Sequence, residues 1–220
     1  IALSSDQQER ADELAASIDF SEPGIAQSYG AEVQKMLAES TNKILDKVRS
    51  RDAGETGRLL SELLNNIDDT NLTGLKKLPI IGNVAMKASE LKRNYQKVEK
   101  QVDEIIEKLD NNKARLMQDN ATLESLYMTN RDLYQELKIY SRAGKQATER
   151  FRAKQLQELE QQAQQSGDPL HAQQVSDLRN RLERFDKRLA DLETIGVVSL
   201  QAMPQIKIMQ NANNLVIDKI

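Results

Sequence analysis

The sequence predicts an all-α protein, a bundle of short helices with a long antiparallel two-helix coiled-coil arm. Three observations lead there. Apolar residues step by four and three from Leu91 to Phe151, the spacing of one helix face, and do so again from Val175 to Ile220. No segment alternates apolar and polar residues as a half-buried strand does. Gly and Pro number 9 and 4 in 220 residues, too few for a sandwich or barrel with a turn every ~8–12 residues.

The elements follow in order. Ser5, followed three residues later by Gln8, forms a capping-box pattern that opens a helix ending near Ser17. Phe20-Ser21-Glu22-Pro23-Gly24 breaks it. Val33, Met36, Leu37, Ile44, Leu45 and Val48 give a second helix over 25–49. Gly54 and Gly57 bracket a turn, and Leu59, Leu60, Leu63, Leu64 and Ile67 give a third helix over 58–69. Leu72 to Gly82, with Pro79, reads as a loop or short apolar clip.

Next comes the first long seam: Leu91, Tyr95, Val98, Val102, Ile105 and Leu109, then on through Asp119, Asn130 and Tyr140 to Phe151. At ~1.5 Å per residue such a helix spans roughly 90 Å. Ser166-Gly167-Asp168-Pro169 stops it. The second seam runs through Leu182, Phe185, Leu192, Ser199, Met203 and Ile206. The chain therefore divides into an amino-terminal short-helix segment over 1–82, a first arm helix over 83–165, a turn at 166–169 and a second arm helix over 170–220.

Two long helices joined by so short a turn run antiparallel. Counting outward from the turn, Phe151 meets Leu182, Tyr140 meets Leu192, Asn130 lies near Met203 and Asp119 near Asn213, give or take a helical turn. The part of the hairpin far from the turn then carries polar layers of Asp119, Asn120, Gln210, Asn211, Asn213 and Asn214. Asn130 lies beside Gln201, Pro204 and Gln205. Such a layer fixes register and helix number at some cost in stability, or offers a site to a ligand or partner. The short helices need cover for their apolar faces and are expected to pack near 85–130 and the end of the second arm, leaving the basic hairpin of 140–190 to project.

Composition narrows the chemistry. With no Cys, thiol redox chemistry and thiolate metal sites have no residues to work with, and a single His nearly excludes a His-based triad or a His-rich metal site. His171 reads as a solvated residue at a helix start, and acidic pairs such as Asp68-Asp69 as solvated faces. No apolar run reaches the ~18–20 residues of a membrane span, and no basic-then-apolar signal segment opens the chain. A Cys-free chain fits a reducing cytoplasm. The chain begins at Ile1 and stops at Ile220 inside a patterned apolar stretch, so it is expected to be a fragment of a longer protein.

The net charge is −3 but unevenly spread: residues 142–188 hold 10 basic and 7 acidic side chains. Arg150, Arg152, Arg179, Arg181 and Arg184 form a candidate basic surface for an anionic membrane or an acidic partner. Interleaved acids make paired, solvent-facing charge the ordinary alternative. Phe151 and Phe185 fall on the seam, so no exposed aromatic platform supports nucleic-acid binding.

Three blocks carry a family resemblance. The stretch Ile25…Tyr29-Gly30…Gln34, with Ile44-Leu45…Val48-Arg49…Asp52-Ala53-Gly54…Gly57…Leu59-Leu60, resembles the amino-terminal motif of the toxic-anion-resistance (TelA/KlaA, tellurite-resistance) proteins. Leu116-Met117-Gln118-Asp119…Leu123…Leu126-Tyr127…Asn130…Tyr134…Leu137…Tyr140…Gly144 is similar to the family's long-helix motif. Leu200-Gln201-Ala202-Met203-Pro204-Gln205-Ile206-Lys207…Gln210-Asn211 resembles its Gln-x-x-Pro-Gln-Ile signature. The blocks occur in the family's order and span essentially the whole chain.

The resemblance implies a bacterial cytoplasmic protein tied to survival of tellurite and cell-envelope stress, acting with other stress-resistance proteins. It supplies no catalytic residues. Asp119, Asn130, Gln201, Pro204, Gln205 and Asn211 carry over as candidate functional or structural positions, which the pairing above brings to one region. Pro204 has no N–H, so it either kinks the second arm and frees a carbonyl near Leu200 or starts a new helix.

The expected function is a non-enzymatic interaction or scaffold module, without cofactor or metal. One alternative is an oxyanion or metal-ion binder acting through the amide-rich layer. Another is a peripheral membrane-surface scaffold using the basic arm. Homodimerisation along the arm is a further expectation, since a two-helix seam of this length needs a third helix or a second chain.

Overall fold

A computed structural model describes residues 3–49, 58–59, 61–62 and 84–220, and all secondary structure among them is helical. Six helices are described in chain order: α1 (Ser5–Ser17), α2 (Ile25–Ser28), α3 (Ala31–Arg49), α4 (Val84–Phe151), α5 (Gln157–Ser166) and α6 (Pro169–Ile217). A π turn over Arg152–Leu156 joins α4 to α5. The described residues among 58–62 are helical too. The turn at Gly54 and Gly57, the third helix beyond 62, the Asp68-Asp69 pair and the 72–82 segment lie outside the described residues.

Local signals place most of the ends. Ser4, one residue earlier than the sequence suggests, caps α1: its hydroxyl accepts from the Gln7 N–H at 3.3 Å, and its own N–H donates to Gln7 Oε1 at 3.0 Å. Ser4/Gln7 and Ser5/Gln8 both fit the pattern. With the cap on Ser4, Gln8 is left to donate to Asp12 one turn along, at 3.2 Å.

The helix expected over 25–49 is broken. Gly30 takes φ +64, a left-handed conformation that closes α2 and redirects the chain into α3. A Cβ there would also come within 3.0 Å of Leu192. At the far turn Gly167 adopts φ +62 after α5. Asp168 Oδ1 then accepts from the Leu170 N–H at 2.9 Å and caps α6.

The described residues divide into two compact units. The first contains residues 1–46 and 125–206. There α4 and α6 run antiparallel: Ser141 meets Glu193, and Arg152 meets Asp186. Their seam residues Leu137, Ala147, Leu182, Phe185, Leu189 and Leu192 are buried with Ala11, Ala15, Phe20, Tyr29 and Leu37 of the amino-terminal segment. Helices α1 and α2 and the start of α3 thus pack on 137–147 and 182–192, where a bare projecting hairpin is expected. Within the expected 85–130, Thr41 reaches Asn130, Lys47 reaches Asp119 and Leu59 packs with Ile105 and Leu109.

All three Phe residues converge: the Phe20 ring lies 4.9 Å from Phe151 and 5.1 Å from Phe185, edge to face. Phe20, read only as part of a helix break, is the plug that α1 and α2 deliver into the seam.

The second unit contains 47–124 and 207–220. Antiparallel pairing continues within it, with Glu124 against Lys207 and Asn120 against Asn213. Leu59, Ile105 and Leu109 form its apolar cluster, with Ile220 packed alongside.

Candidate functional site

The sequence gathers six candidate positions at a polar layer; the structure separates them by role. Asn130 is wholly buried in the first unit. Its Oδ1 accepts from Thr41 Oγ1 at 3.2 Å, while Nδ2 donates to Ser199 Oγ at 2.8 Å and to the Ser199 carbonyl at 3.2 Å. One side chain from each of α3, α4 and α6 closes this knot. With Asn130's oxygen and nitrogen both engaged and all three residues buried, the arrangement orders helices and offers nothing to a solute. Its partner on α6 is Ser199, one turn from the expected Met203.

Thr41 was missed as the third member of the knot. Leu37, Thr41, Ile44 and Val48 step by four and three, which is the signal that marks it as inward-facing.

The second unit holds a separate amide network. Asn120 Nδ2 donates to Asn214 Oδ1 at 2.7 Å, and Asn120 Oδ1 accepts from Asn213 at 2.9 Å. Gln210 Nε2 donates to the Asn120 carbonyl at 3.2 Å and to Glu124 Oε2 at 2.9 Å, and Lys207 reaches the same carboxylate at 2.8 Å. Asp119, expected to face Asn213, pairs instead with Lys47 at 2.9 Å. Asn120, one position on, takes the inward place because a step of one residue turns a helix by ~100°.

Gln201, Pro204, Gln205 and Asn211 are all exposed, on the face of α6 turned away from Ala202, Ile206 and Met209. The interior polar layer expected to contain them therefore does not. Pro204 lies inside α6 and starts no new helix. Lacking an N–H, it leaves the Leu200 carbonyl without its helical donor on an exposed turn.

The carboxy-terminal half of this helix is nearly without charge: from Ile195 to Ile217 only Lys207 is charged, in a chain with 30% charged residues. Val197 and Val198 are 53% and 46% exposed. In the second unit's part of α6, Ile208 and Leu215 are exposed as well.

The basic candidates are drawn largely into contacts within the chain. Arg181 Nη1 donates to the Phe20 and Ser21 carbonyls at 2.7 and 2.6 Å, Arg179 pairs with Glu160 at 2.7 Å, and Arg152 with Asp186. Arg188 adds a 2.9 Å bond to the Tyr29 carbonyl. Arg184 bonds the Asn180 carbonyl of its own helix at 3.3 Å. Arg150 is exposed. Asp12 sits below the usual carboxylate range, chiefly through its bond with Gln146, then Gln8, with Arg150 and Arg142 adding to the effect. The Arg181 and Arg188 contacts tie the second arm to carbonyls of the turn between α1 and α2 and to the one that caps α2.

Among the described residues no three His, Asp or Glu side chains converge as metal ligands, and no helix is long and apolar enough to cross a membrane. His171 is exposed, with Nδ1 2.9 Å from Ser166 Oγ.

Comparison with known proteins extends over the same residues. The family described as toxic anion resistance protein (TelA) matches residues 11–220. The uncharacterized protein Lmo1967 of Listeria monocytogenes is 34% identical over 99% of the chain, and the uncharacterized protein YaaN of Bacillus subtilis is 32% identical over 99%. TelA-like protein SAB1262 of Staphylococcus aureus is 30% identical over the same share. The chain spans 56%, 58% and 59% of these relatives' lengths, respectively. No solved structure matches it. An all-α chain whose three motif blocks fall in order within a match over 11–220 belongs to the toxic-anion-resistance (TelA) family.

Proposed function

We propose that this chain is a non-enzymatic helical interaction module of a bacterial toxic-anion-resistance protein, contacting other stress-resistance proteins in the cytoplasm. The observation that carries the reading is the uncharged, exposed face of α6. A helix face left to water is normally charged. Exposed apolar and amide side chains with few charges have the composition of a surface that a partner buries. In the first unit Val198, Gln201, Pro204 and Gln205 make up this face. The polar knots at Asn130 and Asn120 hold the helix that presents it. No reaction is assigned: within these 220 residues there is no Cys and one His, so reduction of a toxic oxyanion has no thiol to proceed through.

The test is resistance in cells. Full-length protein carrying Val198→Glu, Gln201→Glu and Gln205→Glu is expected to lose tellurite resistance while its circular dichroism and thermal midpoint stay unchanged. Full resistance in that variant overturns the reading.

A further inference from the structure

The first unit contains a second surface, opposite the one α3 fills. Leu37 of α3 packs into the seam with Leu137 and Leu192, and Thr41 bonds Asn130 from that side. On the other side α4 and α6, with Leu3, Ser4, Gln7 and Gln8 of the amino-terminal segment along one edge, line an open groove in two adjoining parts, of about 600 and 480 Å³, which share Leu3, Tyr134 and Lys138. The wall from α4 is Tyr127, Arg131, Tyr134, Lys138, Ser141 and Lys145, stepping by four and three. The wall from α6 is Glu193, Gly196, Val197, Leu200 and Met203, on a matching spacing. Two antiparallel helices that present heptad-spaced walls accept a third helix, whose side chains fit as knobs between theirs.

The walls differ in charge. Arg131, Lys138 and Lys145 recur every seventh residue along α4, with Arg142 beside them; Arg131 also pairs with Asp132 on its own helix, at 2.8 Å, so the edge is net basic and partly compensated. The α6 wall contributes only Glu193, which accepts from Ser141 and pairs with Lys145, and is otherwise apolar or glycine. From Tyr127 to Lys145 the α4 wall rises roughly 27 Å.

We propose that this groove binds an amphipathic helix of a partner protein, about 18 residues long, whose apolar stripe is edged with Asp or Glu on the α4 side. The apolar stripe lies on Tyr134, Val197 and Leu200, and the acidic edge meets Arg131, Lys138, Arg142 and Lys145. Gly196 keeps the floor open: a Cβ there would come within 3.3 Å of Leu137 and 3.4 Å of Tyr134. The proposal goes beyond the interaction-module reading, which names the neighbouring Val198, Gln201, Pro204 and Gln205 face of α6, and adds a second contact surface of stated chemistry.

The experiment is fluorescence anisotropy with two labelled helical peptides of one leucine pattern, edged with Glu in one and Lys in the other. Wild-type protein is expected to bind the Glu peptide at least about tenfold more tightly, a difference of about 1.4 kcal/mol. Arg131→Glu/Lys138→Glu/Lys145→Glu is expected to reverse that order. Val197→Arg is expected to weaken both peptides. Equal binding of the two peptides, or no binding of either, overturns the proposal. Self-association by sedimentation that Val197→Arg abolishes also overturns it, by making the occupant a second copy. Because no step measures resistance, these outcomes are separate from failure of the interaction-module reading.

Discussion

At the scale of single residues, Asn130 and Tyr29 show how buried polar groups set register. Asn130 has partners on two helices, so Asn130→Ala removes a filled volume and strands the Thr41 and Ser199 hydroxyls. The expected loss is about 2–3 kcal/mol in urea denaturation. Asn130→Leu combined with Thr41→Val and Ser199→Ala removes all three polar groups together and is expected to recover most of it. Failure of the triple variant to exceed the alanine variant would show the knot to be more than internally satisfied polarity.

Tyr29 gives a pH dependence. Its hydroxyl donates to the Tyr140 carbonyl at 2.7 Å, and burial, with Tyr140 beside it, raises its pKa above the ordinary 10.0. The unfolded phenol ionises near pH ~10 while the buried one resists. The stabilisation is therefore complete below that pH and is lost as pH climbs above it. Tyr29→Phe is expected to cost about 1 kcal/mol at neutral pH and to flatten the fall in thermal midpoint above pH ~10. Of these two side chains the sequence singled out Asn130. Tyr29 was visible only as part of a motif, because nothing local says that a tyrosine after a short helix will reach Tyr140, 111 positions away.

At the scale of elements, glycine and proline in the arm helices act through what surrounds them. A Cβ on Gly144 would lie 2.5 Å from Leu189 Cδ2 and 3.2 Å from the Tyr29 ring, both in the core, whereas Gly196 has the looser surroundings described above. Both sit inside helices, where alanine is intrinsically favoured by about 1 kcal/mol. Gly144→Ala is nonetheless expected to lower the thermal midpoint, because overpacking costs about 1–3 kcal/mol, while Gly196→Ala holds or raises it. Equal effects would mean that Leu189 moves aside freely.

Pro204 is the opposite case. It interrupts the hydrogen bonding of α6 on an exposed turn, so Pro204→Ala is expected to stabilise the fold by up to about 3 kcal/mol. A more stable variant with impaired tellurite resistance would assign the interrupted turn to function; unchanged resistance would leave it an accommodated interruption. The sequence located this proline and the carbonyl it frees. Whether it broke α6 was settled by packing on the far face, at Ala202 and Ile206.

At the scale of the whole molecule, periodicity made the long helices, the antiparallel turn and most of the seam legible. The same period could not say which helices cover which length of seam. That depends on where Phe20 and Leu37 pack, a tertiary choice that leaves no local mark. Nor could it separate inward from outward polar residues near Pro204, where Gln, Asn and Ser recur on every face.

Charge is the property that composition most tempts one to over-read. The ion pairs described are largely exposed, Arg10–Glu136 at 57% and 31% and Lys207–Glu124 at 47% each. Pairs of that kind contribute about 0–1 kcal/mol apiece and weaken with salt. Phe185, by contrast, has no exposed surface and touches two other aromatic rings, so Phe185→Ala is expected to cost about 3–5 kcal/mol. Raising NaCl from about 0.05 to 1 M, which shortens the screening length severalfold, should therefore change the denaturation free energy less than that single substitution does. A larger salt effect would place the stability in the charged surface and not in the seam that the apolar pattern marks.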